Sequence, residues 1–147
     1  MLLRSGALII GVDKFDDPNV GTLKYTVNDA DALYQTLTSI PNGFPRENVM
    51  LITPTQPDTD HRPTRNNIIA MLTTWLDLAE TGDIILVYFS GHGLEIEAES
   101  YIVPSDTKLS NPALTAIPIE VVKDQMRRSK ASKKILILDA CHSGEGK

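Results

Sequence analysis

Two stretches of this chain share one design. Residues 83–93 read Asp-Ile-Ile-Leu-Val-Tyr-Phe-Ser-Gly-His-Gly, and residues 134–144 read Lys-Ile-Leu-Ile-Leu-Asp-Ala-Cys-His-Ser-Gly. Each is a run of consecutive apolar residues closed by small residues and glycine. A strand with one wet face alternates polar and apolar side chains, so an unbroken aliphatic run matches a parallel strand covered on both faces. As parallel neighbours, the two runs would set His92 beside Cys141, the single cysteine of the chain.

The rest of the chain supplies the elements such strands require. Residues 7–12 are apolar on consecutive positions and predict a first strand. The loop that follows, residues 14–24, is rich in turn formers: Asp16, Asp17, Pro18, Asn19 and Gly21. Val27, Ala30, Tyr34 and Leu37 then take the three-and-four spacing of one helix face, which Pro41-Asn42-Gly43 ends. A short strand at 49–52 and a polar loop at 53–63 lead to Thr64, a helix N-cap residue before the stripe Ile68, Leu72, Trp75 and Ala79. After His92 the alternation of apolar and acidic residues up to Pro104 predicts a small two-stranded flap, residues 106–118 a loop, and Ile119, Val122 and Met126 a third helix. Alternating strands and helices imply an α/β fold, a parallel sheet with right-handed crossovers and helices on both faces.

With 147 residues, 41% hydrophobic, the chain fits one domain, 1–147. A net charge of -5 argues against nucleic acid as a partner, and the basic cluster Arg127, Arg128, Lys130, Lys133, Lys134 is expected at a helix end rather than in a binding patch. One cysteine cannot form an internal disulfide and no Asn-x-Ser/Thr site is present, so a reducing, cytoplasmic setting is expected. The apolar amino-terminal run reads as the first strand rather than a leader, and no apolar run reaches the roughly 20 residues of a membrane span.

The strand ends carry the chemistry. In open α/β sheets reactive groups gather where strands finish and loops open a crevice. The thiolate is the nucleophilic form of cysteine, so Cys141 needs a base beside it, and His92 is that candidate. Gly91 and Gly93 would let a substrate backbone approach, and the amides of Gly93 and Cys141 could form an oxyanion hole. His142 and His61 are assigned no task. The plainer alternatives are a buried structural thiol, or a scaffold of the same fold without catalysis. A phosphate loop is a third alternative, because residues 141–147 spell Cys-x-x-x-x-Gly-Lys. That loop lacks a leading glycine, a following Ser or Thr and an arginine, and holds Glu145 where phosphate would sit.

Ser-Gly-His-Gly after one strand and Asp-Ala-Cys-His-Ser-Gly after another resemble the catalytic pair of the caspase-like cysteine peptidases, in particular the metacaspase and bacterial caspase-homologue (orthocaspase) branch. The resemblance runs from Ala7 to Gly144 and implies a three-layer sandwich with strand order second, first, third, fourth. It also implies two further strands from a small subunit of the same precursor, and a cysteine endopeptidase that acts through a thioester. In metacaspases an aspartate two residues before the cysteine and another in an Asn-Asp-Ala segment line a pocket for Arg or Lys. Here these are Asp139 and Asp29, although Tyr25-Thr26 stands where many members have Gly-Cys. Two carboxylates there would hold a basic side chain and reject an acidic one; helix capping is the alternative for Asp29. Glu95, Glu97, Glu99 and Asp106 are the carboxylates that could hold calcium, but the segment lacks the paired acidic run of calcium-dependent members, so a solvated face and no cofactor or metal are expected. Lys147, a basic residue in a short polar tail, is the expected self-processing site, with an arbitrary chain end as the alternative.

Overall fold

The structure is a computed structural model that describes residues 5–142, and side chains for residues 5–140. Its centre is β3 (Ile84–Ile96). Along one edge β1 (Ser5–Gly11) pairs with it in parallel, from Ser5 opposite Ile84 to Gly11 opposite Ser90. Along the other, β6 (Lys133–His142) also runs parallel, from Lys133 opposite Ile84 to His142 opposite Gly93. With β2 (Val49–Ile52) outside β1, the parallel strands take the expected order: second, first, third, cysteine strand.

The unbroken apolar runs follow from this position. Successive side chains of a strand point to opposite faces, and here each face has its own core. Leu86 and Tyr88 join Ala7, Ile9 and Val49 under Ala30 of α1 (Thr26–Ser39). Ile85, Val87 and Phe89 join Leu8 and Ile10 under Ile68, Leu72 and Leu76 of α2 (Arg65–Asp77), and the Ile119–Arg128 helix adds Val122 and Met126. Thr64 caps α2 by accepting the Asn67 amide at 3.3 Å, and Asp106 accepts the Arg65 amide at 2.9 Å from 41 residues away. One of the four carboxylates considered for calcium therefore serves the start of a helix.

Two segments differ from the sequence expectation. The flap is not separate, since β3 itself continues past His92 and turns back into β4 (Glu99–Ile102). The Ser90 and His92 carbonyls, two residues apart and so on one edge, receive the amides of Val12 at 3.0 Å and Val103 at 3.1 Å. Thus β4 takes over the edge where β1 ends. The hairpin turns on Glu97 and Ala98, both left-handed with φ of 49° and 66°, as a two-residue loop demands. Residues 106–118 are not all loop either. They hold a short helix α3 (Pro112–Thr115) and a two-residue strand β5 (Ile117–Pro118) paired with β4, followed by the Ile119–Arg128 helix, α4. Pro118 has no amide to give a further strand, which suits the margin of a sheet.

The basic cluster lies at a helix end as expected. Arg127 and Arg128 close α4, Lys134 donates to the Arg127 carbonyl at 3.1 Å, and Glu120 and Asp124 pair with Arg127.

Candidate active site

The site sits where β6 finishes beside β3, at the point where β3 passes from β1 to β4. The register of β3 with β6 makes His92 and Cys141 direct partners, with Ser90 opposite Asp139 one step below. Neighbouring strands lie about 4.8 Å apart, so the backbones of the two residues are adjacent. Cys141 and His142 are described by backbone alone; Glu145 and Lys147 lie outside the described residues.

The His92 ring is 7% exposed, and its Nε2 lies 2.6 Å from the Gly21 carbonyl oxygen. A carbonyl only accepts, so Nε2 carries the proton and Nδ1 keeps its lone pair. Nδ1 is buried and has no partner among the described residues. Phe15 packs against the imidazole, ring centres 5.1 Å apart and tilted by 46°. The ring is thereby fixed in one tautomer, with its basic nitrogen unspent.

The loop that supplies both Phe15 and Gly21 is itself fastened. Leu23 donates to the Asp13 carbonyl at 2.8 Å, and the Thr26 hydroxyl to the Val12 carbonyl at 2.9 Å. The buried Asp17 carboxylate receives the Leu109 amide at 2.8 Å on one oxygen and the Asn19 amide at 2.9 Å on the other. Those two amides, Leu109 first, hold the carboxyl below its ordinary range.

Asp29 and Asp139 are both exposed, and both charges act on the Tyr88 hydroxyl. A Cβ on Gly11 would stand 2.8 Å from the Ala30 Cβ and 2.9 Å from the Thr26 carbonyl, so glycine lets the first turn of α1 rest on the end of β1. That turn carries Asp29 without a side-chain cap at its start. Tyr88 is 9% exposed on the face of β3 that α1 covers. Burial raises the Tyr88 hydroxyl above its ordinary pKa, the neighbouring Ser90 hydroxyl opposes this, and the charges of Asp139 and then Asp29 raise it further. Neither Tyr88 nor Ser90 was expected here. Their signal was present in the sequence: polar tips at every second position, 88, 90 and 92, of an otherwise apolar strand.

Gly91 has a packing reason: a Cβ there would meet the Phe89 ring at 2.7 Å. Gly93 stands between Ile102 and His142, in register with both. His61 ends a short 3-10 helix, 3.9 Å from Asp58. Glu95 and Glu99 belong to the hairpin, where Glu99 accepts the Tyr101 hydroxyl at 3.2 Å.

Comparison with known proteins identifies the family. The family model described as the caspase domain matches residues 4–147. The chain belongs to the caspase-domain family. Among curated relatives of this caspase domain, metacaspase-9 of Arabidopsis thaliana is 30% identical over 98% of the chain and 45% of its own length. Metacaspase-1 of Saccharomyces cerevisiae is 25% identical over 96% of the chain and 34% of its own length. A crystal structure of a Geobacter sulfurreducens protein superposes with a TM-score of 0.68 at 18% identity, over 96% of this chain and 52% of that one. It shares the fold. The caspase domain described here is thus metacaspase-like, of a cysteine peptidase family, and spans less than half the length of these curated relatives. No helix among the described residues is long and apolar enough to cross a membrane.

Proposed function

We propose that this domain is a cysteine endopeptidase that cuts after Arg or Lys. The observation that carries the reading is the register of His92 with Cys141, together with a buried His92 Nδ1 that has no partner among the described residues. In the reaction Nδ1 takes the thiol proton as the Cys141 sulfur attacks the scissile carbonyl. The tetrahedral oxyanion is met by the Gly93 and Cys141 amides, and its collapse gives a thioester while His92 returns the proton to the departing amine. Water, deprotonated by the same nitrogen, then frees the acid.

Asp29 and Asp139 supply the charge for the basic side chain before the cut, and Tyr88 with Ser90 forms the polar floor between them. The exposed aliphatic residues of β6, Ile135 at 46% and Ile137 at 42%, support a covering partner, the small subunit of the same precursor. Self-processing at Lys147 belongs to the same reading, and the protein is taken to act in the cytoplasm without a metal.

Labelling with a peptidyl-arginyl acyloxymethyl ketone tests the chemistry, with one adduct expected on Cys141 by mass spectrometry. A cleavage profile on a proteome-derived peptide library tests the pocket. Preference for Asp or small apolar residues before the cut would overturn the assignment of Asp29 and Asp139. Given a basic preference, Tyr88→Phe should lower kcat/KM for arginyl substrates about tenfold, the loss of one hydrogen bond to a charged group.

A further inference from the structure

The catalytic base is held by a backbone carbonyl, and something must hold the carbonyl. Gly21 lies in a loop without secondary structure, and Phe15, the other contact of the imidazole, lies in the same loop. At Asp17, between them, the chain is tied to a distant segment. The carboxylate is buried and uses both oxygens: Oδ1 accepts the Asn19 amide within the loop, and Oδ2 accepts the Leu109 amide 92 residues away. The Asp16 amide donates to the Ser105 carbonyl at 2.8 Å, so the segment ahead of α3 is gripped at two points.

We propose that Asp17 is the positioning residue of the His92 base: its two-oxygen clamp between Asn19 and Leu109 fixes the loop so that the Gly21 carbonyl selects the tautomer with Nδ1 free. The inference rests on the Cys141–His92 reading and goes beyond it. Asp17 touches neither substrate nor the reacting atoms. It acts through Gly21 and Phe15, and a change at 105–109 would reach the base by the same route.

The residue allows a nearly isosteric test. In Asp17→Asn one oxygen becomes an NH2 group, which faces a backbone N–H and turns one of the two hydrogen bonds into a repulsion between donors. Volume is unchanged. Two readouts apply, neither needing a substrate. Long-range proton–nitrogen correlation spectra report the His92 tautomer, and iodoacetamide reports thiol reactivity against pH at the single cysteine of the chain. The native chain should show His92 protonated on Nε2. Asp17→Asn, folded by its amide spectrum, should show mixed tautomers, alkylation at neutral pH about ten- to a hundredfold slower, as loosened positioning entails, and a displaced inflection in the pH profile.

A folded Asp17→Asn chain with native tautomer and native alkylation overturns the proposal. The native chain alone can also do so, if His92 is protonated on Nδ1 or if the Leu109 amide exchanges freely with solvent. His92→Ala separates the two levels. If it alkylates as fast as the native chain, the Cys–His reading falls and this inference with it; if it is slow while folded Asp17→Asn is native, only this inference falls.

Discussion

β3 and β6 have nearly the same sequence design and very different surroundings. Ile85, Leu86, Val87, Tyr88 and Phe89 of β3 are all buried, with β1 and β6 on its edges and helices on both faces. In β6, Leu136 and Leu138 pack partly against the α2 and α4 core, while Ile135 and Ile137 stand exposed. Those two are in register with Leu86 and Tyr88 and so lie on the α1 face, but α1 packs chiefly over β1, β2 and β3 and leaves them exposed. The difference teaches that the apolar pattern of a strand records the burial it requires, not the burial one chain provides. A flat apolar edge left open invites association.

The largest expected effects concern the ends of the two strands, where the comparison is between unequal catalytic shares. Cys141→Ala removes the atom that forms the thioester and should abolish peptide hydrolysis and labelling altogether. His92→Ala leaves the sulfur in place and should lower hydrolysis about a hundred- to ten-thousandfold, the usual range for a lost general base. Initial rates on an arginyl peptide decide it. Near-native hydrolysis by His92→Ala would mean that His92 is not the base.

Next come the strand interiors. Phe89→Ala opens a cavity where the ring fills the space above Gly91, and should cost about 3–5 kcal/mol in urea unfolding. Ile137→Ala in the same chain should cost under about 1 kcal/mol, because its side chain is already half in water. Repeating both in the presence of a strand-supplying partner sharpens the contrast. The cost at Ile137 should then rise toward that of a buried isoleucine, while the cost at Phe89 stays put.

Much of this architecture could be read from the residues, for physical reasons. Runs 84–89 and 135–138 are long enough for the two-faced burial signal to emerge, Thr64 announces its helix, and the Val27, Ala30, Tyr34, Leu37 spacing points to a face. The four-residue helix α3 and the two-residue strand β5 are too short to show a period, and tertiary pairing with β4 creates the strand. At the site, His92 and Cys141 are legible because side chains carry their chemistry. The Gly21 carbonyl is not, since every residue has one and only the fold decides which is used. Asp17 reads as a turn former because its decisive partner is far along the chain. Gly91 is legible as special, but its packing against the Phe89 ring shows only in the fold.

The smallest expected effect is an acid one, at the loop that holds the histidine. The His92 end of β3 depends on the Asp17 clamp, whose carboxyl has a folded-state pKa lowered by the Leu109 and Asn19 amides. A depressed folded pKa means that the unfolded chain binds the proton more readily. The clamp's contribution is therefore fully present above the ordinary carboxylate pKa of about 4, and is lost as pH falls through the lower folded value. Urea midpoints of the native chain should decline below about pH 4 more steeply than those of Asp17→Asn, and the two curves should run parallel above it. If Asp17→Asn keeps the native acid limb, the acid-sensitive tie lies elsewhere than on the loop that holds the histidine.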